Sequence, residues 1–304
     1  MKLYLAGFYA SNFNLEGNVF KKLDERERKA RLSIEHNLES YHYIYRQSAV
    51  DKLRQDKKQV FLDSGAFSAF TKGAQVDVKA YCEYIHRNMD IIENVDGSLC
   101  ASVLDGIGDP LKTYQNQTIM EGYGVRPLPC FHYGEDERYL EHYIANYDYI
   151  TLGGMVPIST PQLIHWLDRL WEKHLCDGSG NPRVKVHGFG LTSLPLMKRY
   201  PWFSVDSSTW VMWSANGMLL VPGVGQVNVS SKSSSRKIEG QHLNTYTAPQ
   251  RQAIIDQIKA LGFDPDRLAD EYCSRWAFNA WSFQEEGKLS TMTKFTRPQP
   301  ELWE

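Results

Sequence analysis

The chain has 304 residues, 42% of them hydrophobic and 12% aromatic, with a formal net charge of −2. That length and apolar content suit one α/β domain with a large core, close to the ~250 residues of a single (β/α)8 barrel plus additions. The near-neutral balance excludes a global basic footprint, so a bound nucleic acid must be drawn by a local patch.

The five cysteines (Cys82, Cys100, Cys130, Cys176 and Cys273) form no CxxC and no close pairing with histidine. Such spacing argues against a disulfide framework and a structural zinc. The first residues, Met1–Gly7, turn polar too soon for a secretory leader, and no apolar stretch approaches a membrane span. The expectation is a soluble, cytoplasmic protein with no membrane, metal or redox cofactor.

Lys2–Phe8 reads as the first strand. Residues 9–59 are long, polar and helical, with charge runs such as Asp24–Arg31, and read as an insertion. Val60–Asp63 is the second strand and Val78–Arg87 a helix. Leu99–Leu104 and Arg126–Phe131 follow as strands, then a helix over Leu140–Tyr147 and a strand over Tyr149–Leu152. Thr160–Pro161 reads as N-cap and N1 of a helix whose Leu163, Ile164, Leu167, Leu170 and Trp171 recur at helical spacing. Arg183–Phe189, Phe203–Asp206 and Met218–Val221 complete eight β-runs. Their alternation with helices favours a (β/α)8 TIM barrel with a long insertion after the first strand and a C-terminal helical extension. No GxGxxG follows the first strand, against a dinucleotide fold. The chain reads as one domain over 1–304: core about 1–222, loop 223–248, helical extension 249–304. The serine- and cation-rich stretch in that loop, with Lys232, Arg236 and Lys237, reads as a mobile loop, either plainly solvated or ordering on phosphates.

Three of the strands run into an acidic residue followed by Gly or Ser: Asp63, Asp105 and Asp206. At the carboxyl rim of a parallel sheet such side chains converge on one pocket. Each also has a plain alternative as a helix cap or ion-pair partner. Asp109, before Pro110, reads as a helix N-cap.

With these segments the chain resembles the tRNA-guanine transglycosylase superfamily, whose members exchange a guanine for a 7-deazaguanine without cutting the backbone. The matching segments, in order, are Asp63–Ser64–Gly65–Ala66–Phe67, Asp105, Gly153–Gly154–Met155, Gly188–Phe189–Gly190 and Asp206. The departures are the missing C-terminal cysteine cluster for zinc, Ala66 in place of a second glycine, Gly106 after Asp105, and the shorter chain. They are similar to the branch in bacteriophages and bacterial DNA-modification clusters that inserts 7-deazaguanines, such as the 7-cyano compound, into DNA.

The resemblance implies Asp206 as nucleophile and Asp63 as general acid/base, the division of labour of retaining glycosidases. It implies that Asp105 reads the base edge, beside a pocket of Ser64, Phe67, Gly153, Gly154, Met155, His187 and Gly188. The glycines would let backbone approach the base, and Phe67 would stack on it or belong to the core. His187 fits a base contact or a supporting hydrogen bond. His132 and Tyr133 end a strand with no assigned role. Lys232, Arg236 and Lys237, with Lys198 and Arg199, are candidate phosphate contacts. Trp202, Trp210 and Trp213 fit core packing as well as nucleic-acid contact. The expected partners are DNA and a free 7-deazaguanine base. The alternatives are the same reaction on tRNA, a non-catalytic nucleic-acid-binding paralogue, and an unrelated sugar hydrolase.

Overall fold

A computed structural model describes residues 1–191 and 193–296. Seven parallel strands form one sheet: β1 (Lys2–Ala6), β2 (Asn37–Ser40), β3 (Phe61–Asp63), β4 (Cys130–His132), β5 (Tyr149–Gly153), β6 (Lys185–Gly188) and β7 (Ser204–Ser207). Their order is β3-β2-β1-β7-β6-β5-β4. Beyond the β3 edge, parallel bridges run from Leu62 to Ala101 and from Ser102 to Leu128, two residues before β4.

The sheet is curled. In a flat sheet β3 and β6 would lie about 19 Å apart, four strand spacings of about 4.8 Å. Instead the rings of Phe61 in β3 and His187 in β6 stack with centroids 4.4 Å apart. Alternation along each strand explains how both faces stay dry. Leu3, Leu5, Leu62, Ile150, Leu152 and Val205 point outward into a core shared with helix residues such as Ile85, Met120 and Leu167. Tyr4, Leu38, Phe61, Leu128 and Tyr149 point inward into a separate cluster.

Three strand expectations need correction. Met218–Val221 is a strand, but it pairs antiparallel with Gly225–Asn228, outside the main sheet. A core boundary at 222 therefore falls inside this hairpin. The missing sheet strand is Asn37–Ser40, within the stretch read as a helical insertion. Its Glu39 is buried because its carboxylate accepts the backbone N–H groups of Tyr9 and Ala10. In Leu99–Leu104, Leu99 ends a two-residue strand, Ser98–Leu99, paired antiparallel with Asn94–Val95, and only isolated bridges at Ala101 and Ser102 follow.

The helix expected at Thr160 starts there, but its N-cap is Ser159, whose hydroxyl donates to the Gln162 side chain at 2.6 Å. Asp109 caps Pro110–Gly122, accepting from the Lys112 N–H at 3.0 Å. The C-terminal helix Tyr272–Leu289 is integral to the fold. Its Ala277, Ala280 and Phe283 join the main core, while Phe278 joins a second cluster with the Met218–Asn228 hairpin and helix Ala248–Ala260. Its Gln284 amide donates to the backbone carbonyls of Leu3 and His36. Among the described residues no helix is long and apolar enough to cross a membrane.

Candidate active site

Because the sheet strands are parallel, their carboxyl ends share one side, and the acidic strand ends meet there. Asp63 closes β3. The chain then turns through Gly65, at φ +74°, into helix Ala66–Thr71. A β-carbon at Gly65 would lie 2.7 Å from both His42 and Ser40, so only glycine fits. The Gly65 N–H donates to the Asp63 carboxylate at 3.1 Å. Burial, then the charges of Asp105 and Asp206, push the Asp63 carboxyl up to about 7, against the opposing pull of the Ser40 hydroxyl and the Gly65 N–H. The charges of Asp105 and Asp206 both act on Asp63 from the same end of the sheet. Among the described residues no lysine or arginine forms an ion pair with any of them.

Asp206 lies in β7, opposite Tyr4 of β1. Its Oδ1 accepts from the Gly190 N–H at 2.8 Å and faces His187 Nε2 at 3.3 Å; Oδ2 has no hydrogen bond among the described residues. Behind it runs a buried relay. His187 Nδ1 is 2.6 Å from the Ser204 hydroxyl, which is 2.6 Å from the Tyr149 hydroxyl. Burial lowers the pKa of His187, so the ring is neutral. With one ring proton, a consistent assignment has Nε2–H donate to Asp206 while Nδ1 accepts from Ser204. Asp206, His187 and Ser204 thus have the connectivity of a hydrolytic triad. Ser204, however, is fully buried beneath the imidazole, where no substrate carbonyl can reach it. The relay positions Asp206.

His132, unassigned from sequence, is central to the other half of the site. Its Nε2 lies 3.3 Å from Asp105 Oδ2 and 3.4 Å from Cys130 Sγ; its Nδ1 lies 2.8 Å from Glu135 Oε1. Burial opposes a charge on this ring, but Cys130 and Asp105 outweigh it and push the His132 pKa upward. Cys130 and His132, two apart on a strand, share a face; that spacing was the available signal. Asp105 joins them only through strand pairing.

The residues expected in the pocket have the following surroundings. A β-carbon at Gly153 would lie 2.9 Å from the His132 ring and 3.0 Å from Cys130 Sγ, and one at Gly154, at φ +69°, 3.1 Å from the Tyr133 nitrogen. These glycines make room for His132 and Tyr133. Gly188 makes room for the Trp202 ring, 3.1 Å from where its β-carbon would stand. Met155 is buried, lining a cavity of about 200 Å³ with Val156 and Gly190. Ser64 is buried too, and its N–H donates to Ser102 Oγ at 2.9 Å. Phe67 is not core: it is 63% exposed, as is Phe70 at 61%.

The loop cations are not brought to the carboxylates by any described contact. The serine-rich stretch is ordered by its own hydroxyls: Ser233 caps the turn Ser234–Lys237, Ser231 donates to Asp270 at 2.6 Å, and Arg236 donates to the Ser231 carbonyl at 2.8 Å. Lys198 pairs with Glu286 at 2.6 Å and Arg199 with Asp168 at 2.7 Å. Trp202 and Trp210 are core, and Trp213 packs edge-on against Phe283. Compared with protein-family models and with curated proteins, the chain matches none.

Proposed function

We propose that the chain is a base-exchange transglycosylase on a (β/α)8 barrel, replacing guanine in DNA with a 7-deazaguanine. The observation that carries this reading is the pair Asp63 and Asp206. Asp63 holds its proton to about pH 7, while Asp206 is fixed at Oδ1 and has no hydrogen bond at Oδ2 among the described residues. Two carboxyls so differentiated are what a double displacement at an anomeric carbon requires. The Asp206 carboxylate bonds to C1′ as the C1′–N9 bond breaks, and Asp63 gives its proton to the departing guanine. The incoming base then loses its N9 proton to Asp63, bonds to C1′ and expels Asp206. Asp105 and His132 offer the base edge an acceptor and a donor. Phe67, Phe70 and Val156, exposed on segments that follow strand ends, supply apolar surface where a flipped nucleotide and its neighbours would stack.

The test is to trap the intermediate. The chain is mixed with a guanine-containing DNA oligonucleotide, or with tRNA in a parallel arm, and run under denaturing conditions. A covalent adduct is expected with DNA, and chase with labelled 7-deazaguanine should move the label into the polymer. An equal adduct from Asp206→Asn would overturn the assignment, and transfer confined to the tRNA arm would move the substrate to tRNA.

A further inference from the structure

We propose that Asp105, Cys130 and His132 form a three-ligand site for a divalent transition metal, zinc by its chemistry, with a fourth coordination position open. The site goes beyond the base-exchange reading and does not depend on it. Cys130 and His132 point inward from β4 one pleat apart, and Asp105 arrives on the neighbouring segment that bridges Ser102 to Leu128. All three ligand atoms lie within 4.8 Å of one another. Zinc bonds of about 2.3 Å to sulfur and about 2.0–2.1 Å to nitrogen or oxygen give tetrahedral edges of about 3.5 Å (S···N) and about 3.3 Å (N···O). The protein holds Sγ and Nε2 3.4 Å apart, and Nε2 and Oδ2 3.3 Å apart. Two edges of the cluster already match those around a bound ion.

Three further features fit. Glu135 accepts from the His132 backbone N–H at 3.0 Å and meets Nδ1 at 2.8 Å, the carboxylate–histidine support that aims Nε2 at a metal. Asp105 Oδ1 is buried without a hydrogen-bond partner, an oxygen that a metal or its bound water would satisfy. Gly153 keeps the space beside Sγ and Nε2 clear, since a β-carbon there would stand 3.0 and 3.2 Å from them. A mixed thiolate, imidazole and carboxylate set selects zinc over magnesium or calcium, which take oxygen. Three protein ligands leave one position for water or a ligand. Because Asp105 cannot serve a metal and a base edge at once, zinc should inhibit base exchange if both readings hold.

The experiment needs no nucleic acid. The full chain, stripped with chelator and kept reduced, is titrated with Co²⁺ as probe. One equivalent should produce a near-ultraviolet thiolate charge-transfer band with tetrahedral visible bands, and Zn²⁺ should bleach both. Cys130→Ser should abolish the charge-transfer band and Glu135→Gln should weaken Zn²⁺ binding ~10–100-fold. Cys100→Ser, another buried thiol outside the cluster, should leave the band intact. Circular dichroism confirms that each variant is folded. No stoichiometric band in the unsubstituted chain, or a band that survives Cys130→Ser, would overturn the site and leave His132 as an imidazolium held between two carboxylates.

Discussion

Asp63→Asn should stabilise the protein, with a gain that grows between about pH 4 and about pH 7 and then holds. Burial and its two acidic neighbours raise the Asp63 carboxyl from an ordinary 3.8 to about 7. In the unfolded chain the proton leaves near 3.8; in the folded chain it stays until about 7. Between those values the folded state holds a proton that the unfolded state has lost, so each step upward in pH favours unfolding. The contribution of Asp63 is fully present below about pH 4 and gone above about pH 7. About three pH units at about 1.4 kcal/mol each give about 4 kcal/mol, and partial access of water to the side chain reduces this to roughly 2–4 kcal/mol. Asparagine cannot ionise and keeps an oxygen for the Gly65 N–H. Urea unfolding of both proteins across this range should show the stability difference, variant minus unsubstituted, climbing from about pH 4 and levelling above about pH 7. A difference that is flat across this range would mean that Asp63 ionises as freely folded as unfolded, and its role as a proton reservoir would fall.

Ser204→Ala should leave covalent adduct formation with DNA in place, because the relay serine only orients His187; loss of the adduct on denaturing gels would make Ser204 the nucleophile instead. Arg31→Leu should destabilise by about 3–5 kcal/mol in urea unfolding, since it strands the charge of Asp56 in a pair whose side chains are both 1% exposed. A cost below about 1 kcal/mol would show that Asp56 is rescued by Tyr9, whose hydroxyl donates to it at 3.0 Å. Phe67→Ala should leave stability within about 0.5 kcal/mol but weaken DNA binding ~5–150-fold, the equivalent of about 1–3 kcal/mol of stacking. Fluorescence anisotropy reads the affinity, and an unchanged value would remove Phe67 from the nucleic-acid surface.

The sheet was legible wherever a strand announces itself by apolar content. Phe61, Ile150, Val186 and Val205 each sit in runs that proved to be strands. Asn37–Ser40 carries a single apolar residue, and what buries it is a distant demand: backbone N–H groups of Tyr9 and Ala10 that need the Glu39 carboxylate. Met218–Val221 misleads in the opposite direction. It is apolar, yet Pro222–Gly223 behind it makes a turn, and the chain folds back into a hairpin. The acidic strand ends were legible because their chemistry is local, an Asp followed by Gly or Ser. The partners of His132 were not, because Asp105 reaches it through pairing between separate strands and no spacing in sequence records that. Composition likewise cannot separate a mobile serine-rich loop from one whose hydroxyls cap its own turns.

One architectural cause connects the acid, the relay and the cluster. In three strands an inward residue is followed two places on, on the same face, by a functional group: Phe61 then Asp63, Ser204 then Asp206, Cys130 then His132. Since these strands run parallel, the first member of each pair contributes to the interior below and the second to the rim above. The interior there is aromatic and dry, with Phe61 stacked on His187 and edge-on to Tyr4 and Tyr149. Low polarity beneath the rim raises the cost of a charge on Asp63 and keeps His187 neutral. It also strengthens the hydrogen bonds that tie His187 to Ser204 and Asp206. The aromatic floor is therefore part of the chemistry: it sets the protonation of groups that it does not itself bond.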